Sequence, residues 1–225
     1  VVTGKPLAIG GAIGRTEATA RGALYCIRTA IQKQGGRLDG TRIAIQGFGN
    51  VGSNLARLSA EEGVRVVALS DSQGGVANPY GIDVRAAIAH KAEHGMLKGL
   101  PGTEEITEAE LVEFDCDVLA PCALEQLVNE ENAARVRAKI VAEGANGPVT
   151  PGGDEILEDK GVLVLPDVLV NAGGVVVSYF EWVQGLQEYF WKEYEVNAKL
   201  KEIVDKAFDE TWHVHTTRDI SLRLS

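Results

Sequence analysis

The tightest constraint on how this chain folds is the stretch RIAIQGFGNVGSNLARL at residues 42–58. A short β-branched run ends in glycines at Gly47, Gly49 and Gly52, and a helical pattern starts directly behind them. A strand that turns at once into a helix needs a tight turn, which Gly47 permits. Gly49 lets a phosphate approach the backbone, and Gly52 lets the helix sit close against the sheet. The free N–H groups and positive potential of the helix N-terminus then form an anion site suited to a dinucleotide pyrophosphate. Gly47, Phe48, Gly49, Asn50, Val51 and Gly52 are therefore candidates for cofactor binding. A carboxylate for the adenosine ribose is expected about 20 residues on. Asp71 stands 19 residues after Gly52, at the end of the next strand, with Ser72 beside it. The alternative for Asp71 is a solvated turn residue in SDSQGG.

Patterning along the chain gives this loop a setting. Apolar residues at Ala20, Ala23, Leu24, Ile27, Ala30 and Ile31 predict a helix within 14–34, closed by Gly35 and Gly36. Short apolar runs predict strands at 41–46, 64–70, 116–121, 139–145 and 162–167. Helices are predicted at 50–62, 83–95 and 108–114, and between the later strands. Strand alternating with helix implies an α/β fold, a doubly wound, Rossmann-like parallel sheet covered on both faces. Helical flanks are expected at 14–34 and 171–217, the second ending in an amphipathic stretch over 190–213. With no internal repeat or linker, residues 1–225 read as one dinucleotide-binding domain.

Asn171, Val175 and Ser178 have the i, i+4, i+7 spacing of one helical stripe. Gly173 and Gly174 would let a ligand approach; equally, they would allow close helix packing, with Ser178 bonding back to its own helix. Ala145 and Asn146 follow a strand whose end should face the crevice, where Asn146 either meets a ribose or caps a turn. His90 and His94, like His213 and His215, suit solvated helix faces rather than a metal site. Trp182, Tyr189, Phe190, Trp191 and Tyr194 suit packing between helices or against another domain or subunit.

The net charge of −10 argues against nucleic acid or an anionic membrane as partner, and no apolar run reaches the length of a membrane span. Cys26, Cys116 and Cys122 lack metal-ligand spacing and suit a reducing, cytoplasmic setting as small buried hydrophobes. The sole methionine is Met96, and RDISLRLS places Asp219 as an apparent cap before Ile220, Leu222 and Leu224. A longer polypeptide is expected.

Several stretches resemble one family. TGKPLAIGGAIGRTEATARG (3–22), GFGNVG (47–52), SDSQGGVANPYGID (70–83), APCALEQLVN (120–129), AEGANGPVTPGGDEIL (142–157) and LPDVLVNAGGVVVSYFEWVQ (165–184) are similar to the cofactor half of glutamate dehydrogenases. The resemblance implies an N-terminal domain, outside this chain, that carries the catalytic lysines and aspartate, so no catalytic residue is expected here. It implies that Thr19 and Asn50 hold the nicotinamide carboxamide and that Asn171 lies near the nicotinamide ribose. It also implies that Ala120, Ala145 and Asn146 join the cofactor set, and that Thr3, Val175 and Ser178 meet the substrate side chain. Ala20 departs from the glycine of many members, in a helix where alanine is the better former. The implied activity is reversible oxidative deamination of L-glutamate to 2-oxoglutarate and ammonia, in a homo-hexamer. The implied cofactor is NAD, with NADP as the alternative. The rivals are a branched-chain or aromatic amino-acid dehydrogenase and a non-catalytic NAD-sensing module.

Overall fold

In the computed structural model, which describes residues 2–225, the run Arg42–Gln46 becomes β1 at the middle of a seven-stranded sheet. Its parallel neighbours are β2 (Arg65–Asp71) on one side and, on the other, the strands Val118–Pro121, Ile140–Ala142 and Leu163–Leu165. Two short strands, β3 (Gly74–Ala77) and β4 (Glu104–Ile106), extend the β2 edge in antiparallel fashion. Numbered in chain order, the later three are β5, β6 and β7, and the sheet runs β4-β3-β2-β1-β5-β6-β7. The expected parallel sheet is thus mixed. The β2–β3 hairpin was hidden because GGVA is too short and glycine-rich to show a strand pattern.

Because both faces are covered, successive strand residues enter opposite apolar layers. Ile43 and Ile45 go to one layer and Ala44 to the other; Ile140 and Ala142 separate from Val141 in the same way. The first layer is closed by α1 (Ala18–Lys33), α2 (Asn50–Glu61), α3 (Val84–His94) and two late helices. The second layer is closed by α4 (Glu108–Val112) and α5 (Pro151–Asp159). No α-helix joins β5 to β6, contrary to the expectation from alternation: only a 3₁₀ turn at Ala133–Arg135 interrupts that segment. There the Asn132 side chain accepts the Asn129 N–H at 2.9 Å and donates to the Leu127 carbonyl at 2.8 Å. Such local bonds compete with helix formation.

Behind β7 come α6 (Asp167–Val170), α7 (Gly173–Gln187) and α8 (Glu193–Arg218). Helix α8 buries Val196, Leu200, Val204 and Phe208, a stripe repeating every fourth residue. Asp219 closes α8 in a left-handed conformation, φ 54°, its N–H bonded to the His215 carbonyl. It therefore ends a helix instead of starting a new element. Trp191 packs edge-on against Phe180 with ring centroids 5.3 Å apart, whereas Trp182, Tyr189, Phe190 and Tyr194 are exposed. His90 and His94 stack on the surface. Cys26 and Cys116 are buried and Cys122 half-buried; burial pushes all three thiols up to about 12, so none is a ready nucleophile. Among the described residues no helix is long and apolar enough to cross a membrane.

Candidate functional site

The chain leaves β1 through α2 toward β2, while β5 flanks β1 on the opposite side. Loops after β1 and β5 therefore diverge, and a crevice opens over the carboxyl ends of the strands, as in other doubly wound sheets. Its volume is about 450 Å³, and its walls include Arg15, Thr19, Val51, Cys122, Asn146 and Asn171.

The three glycines of the loop divide into two kinds. Gly47 has φ 91°, and a Cβ there would overlap the Ala123 side chain. A Cβ on Gly52 would overlap the carbonyl oxygen of Gly47. Both positions hold the backbone together. Gly49 is different: it is the N-cap of α2, no side chain caps the helix, and a Cβ there would meet nothing within 4 Å. The first N–H groups of α2 thus face an open approach. Buried Gln46 steadies the turn, its Oε1 accepting the Ala123 N–H at 3.2 Å and its Nε2 donating to Glu108 at 3.1 Å. Phe48 is buried beneath the loop, and Ala120 is buried within β5.

Asp71 is not a solvated turn residue. Its side chain is 3% exposed, with one oxygen accepting the Gln73 N–H at 2.9 Å. The other accepts the Leu97 N–H at 2.9 Å and lies 3.1 Å from Lys91 Nζ. A carboxylate offers about four lone-pair sites, of which these contacts occupy three. Lys91 also stands 5.8 Å from the Phe48 ring centroid, bridging the glycine loop and the carboxylate. Nothing local in the sequence marks Lys91; α3 brings it there. Ser72 is exposed. Asp71→Ser should therefore do two things. It should lower Tm by several degrees, since two N–H groups and a lysine lose their acceptor. It should also lower the NAD-to-NADP affinity ratio at least tenfold, measured by titration of both nucleotides. An unchanged ratio would place Asp71 in a purely structural role.

At the other end of the crevice, Asn171 Nδ2 donates to Asn146 Oδ1 at 2.7 Å. Asn171 is not on the α7 stripe: it caps α6, and α7 begins two residues later. Tertiary folding still brings Asn171, Gly174 and Val175 to one wall, where Val175 is 76% exposed. Gly173 serves helix packing rather than ligand access, since a Cβ there would overlap the Ala18 carbonyl and its neighbour across α1 is Gly22. A Cβ on Gly174 would crowd the Thr19 hydroxyl. Ser178 donates to the Gly174 carbonyl at 2.9 Å and accepts from Arg15 Nε at 2.7 Å. Its proton is thus spent on its own helix, and its oxygen aims Arg15. Arg15 is a crevice side chain that the sequence pattern did not single out. It is the cation lining the crevice, and a lone arginine after Gly14 carries no spacing signal.

Asn50 donates to the Thr16 carbonyl at 2.9 Å, tying α2 to the segment ahead of α1 and placing Thr19 opposite the glycine loop. Thr3 is exposed and lies outside the crevice walls. The residues after it are strapped to α7, where buried Glu181 accepts the Gly4 and Lys5 N–H groups at 2.9 and 3.1 Å and pairs with Lys5 Nζ at 2.8 Å. Burial pushes the Glu181 carboxyl up, but these donors and the lysine charge outweigh it and leave the pKa lowered.

Residues 10–225 match the family model for glutamate/leucine/phenylalanine/valine dehydrogenases. The chain belongs to that family. A cryptic catabolic NAD-specific glutamate dehydrogenase of Bacillus subtilis is 46% identical over 224 residues, covering 100% of this chain and 52% of the relative. A glutamate dehydrogenase of Thermotoga maritima is 48% identical, covering 99% of this chain and 54% of its own. Among solved structures, the hetero-hexameric glutamate dehydrogenase of Thermus thermophilus in a leucine-bound form superposes with TM-score 0.93 at 35% identity. That match covers 99% of this chain and 53% of that one. This family member spans about half the length of the curated relatives it matches.

Proposed function

We propose that this chain is the coenzyme-binding domain of an NAD-dependent glutamate dehydrogenase whose acid–base residues lie in the other half of the polypeptide. The reading rests above all on the uncapped N-terminus of α2 behind Gly49, at the point where the strand order reverses. The residues fit a dinucleotide from end to end. The α2 N–H groups would hold the pyrophosphate, and the remaining acceptor site of Asp71 would serve the adenosine ribose. Thr19, Asn146 and Asn171 would hold the nicotinamide end. NAD, when bound, supplies the hydride acceptor for the substrate Cα. The protein's task is orientation and charge: Arg15, held by Ser178, presents its guanidinium to a carboxylate of glutamate or 2-oxoglutarate. A fixed cation here disfavours the branched-chain and aromatic alternatives, whose side chains need an apolar wall. The exposed aromatic group around Trp182 supports burial against the missing half or another subunit, as in a hexamer.

Calorimetric titration of NAD and NADP into the 225-residue chain tests this directly. NAD should bind, more tightly than NADP, with no glutamate-dependent NADH formation until the upstream half is restored. Absence of NAD binding, or turnover of glutamate by the chain alone, would overturn the assignment.

A further inference from the structure

We propose that Arg223, through Glu143, is a positioning residue for the nicotinamide end of the crevice. The proposal rests on the coenzyme reading of that crevice. Glu143 directly follows β6, and its side chain is fully buried. One of its oxygens accepts from Arg223 Nη2 at 2.7 Å; the other accepts from Arg223 Nη1 at 3.2 Å and from the Asp167 N–H at 2.8 Å. Arg223 comes from the turn after α8 and also bonds Asp154 of α5 through Nε at 2.8 Å.

These bonds converge on the two asparagines of the crevice. Asp167 opens α6, whose cap is Asn171, and its carboxylate accepts the Gly147 N–H at 2.8 Å. Residues 144–147 therefore lie between two anchors, Glu143 at one end and Asp167 at the other, and Asn146 sits within that span. The single carboxylate of Glu143 sets the position of both members of the Asn146–Asn171 pair, yet neither Glu143 nor Arg223 lines the crevice.

The chemistry explains why an arginine is needed. A buried carboxylate without a cation protonates instead of remaining charged. Burial already holds the Glu143 carboxyl above its ordinary range, with Arg223 as the opposing influence. The charged groups facing Glu143 are Arg223 and Asp167, with Asp154 beyond the guanidinium. Without Arg223, the remaining neighbours are acidic, and the protonated form of Glu143 is favoured further. A protonated Glu143 is a weaker acceptor for the Asp167 N–H, and the loop between the anchors loosens.

The test uses the full-length polypeptide, with hydrogen exchange and NAD affinity followed from about pH 6 to about pH 8. R223M should raise exchange specifically in 143–147 and 167–171. It should also weaken NAD at least tenfold at temperatures well below its Tm, with a steeper loss toward the acid end than wild type shows. R223K, which keeps the charge but not the fork, should remove the acid-end slope while recovering only part of the affinity. The double variant R223M/E143Q should be no weaker than R223M alone and should lose the acid-end slope, because both act through one contact. Should R223M fail to fold, E143Q carries the same exchange and affinity readouts. Unchanged exchange in these two segments, additive losses in the double variant, or a lowered Tm with unaltered NAD affinity would each overturn the positioning role. Loosening of both segments by R223M in a wild-type background that binds no NAD would leave the positioning intact and overturn the coenzyme reading instead.

Discussion

Gly49→Val should abolish NAD binding while leaving the fold standing. The position has φ −87° and open space where a Cβ would go, so the backbone accepts a branched residue. The exchange of glycine for valine at an N-cap costs about 1 kcal/mol, a Tm loss of roughly 2–4 °C for a domain of this size. The side chain, however, would fill the space in front of the first α2 N–H groups, where the proposed function puts the pyrophosphate. Loss of that contact should weaken NAD by at least about a hundredfold, roughly 2.7 kcal/mol. Gly52→Ala is the opposite case. Its Cβ would overlap the Gly47 carbonyl, and such overpacking costs about 1–3 kcal/mol or more. That variant should melt markedly earlier. Paired melting curves and NAD titrations separate the two kinds of glycine. A valine variant that binds NAD like wild type would remove the phosphate assignment.

Arg15→Met in the full-length polypeptide should cost the largest loss in turnover. A hydrogen bond to a charged group contributes about 1.5–3 kcal/mol, so kcat/KM for glutamate should fall roughly 10- to 150-fold, with NAD affinity within about twofold of wild type. Ser178→Ala should follow the same direction with a smaller loss, because Arg15 keeps its charge and loses only the acceptor at 2.7 Å that aims it. Arg15→Lys should recover little, since an ammonium does not reproduce the planar fork. Steady-state rates with glutamate and norvaline decide the matter. If Arg15→Met leaves the glutamate-to-norvaline ratio of kcat/KM unchanged, Arg15 does not read the distal carboxylate. An unchanged kcat/KM for both would remove it from substrate recognition altogether.

How much of this was legible beforehand varies with the range of the interaction. The strand–glycine loop–helix unit at 42–61 was readable because the turn at Gly47 and the close approach at Gly52 are set by local backbone. The parallel strands were readable as short apolar runs because burial on both faces leaves few places for polar residues. The hairpin strands β3 and β4, the helix-free segment before β6 and the helix-ending role of Asp219 were not. In those places weak local propensity is overruled by edge pairing, by asparagine side chains bonding to backbone, or by a left-handed cap.

The site divides along the same line. The sequence alone determined that a strand–glycine loop–helix unit exists, that its helix begins at Asn50, and that an acid stands at the end of the next strand. It also named Asn146, Asn171 and Val175, and their place in one crevice wall follows from strand ends and a helix start. Only the tertiary structure decided what those residues are free to do. It turned the Ser178 proton onto Gly174, assigned Gly173 to packing against α1, and surrounded Asp71 with Lys91 and two backbone donors. It also brought Arg15 and Arg223 to carboxylate or hydroxyl partners 163 and 80 residues away in the chain. The physical reason is that hydrogen-bond capacity is finite: a side chain's type fixes how many donors and acceptors it has, and the packed neighbours decide how many remain for a ligand.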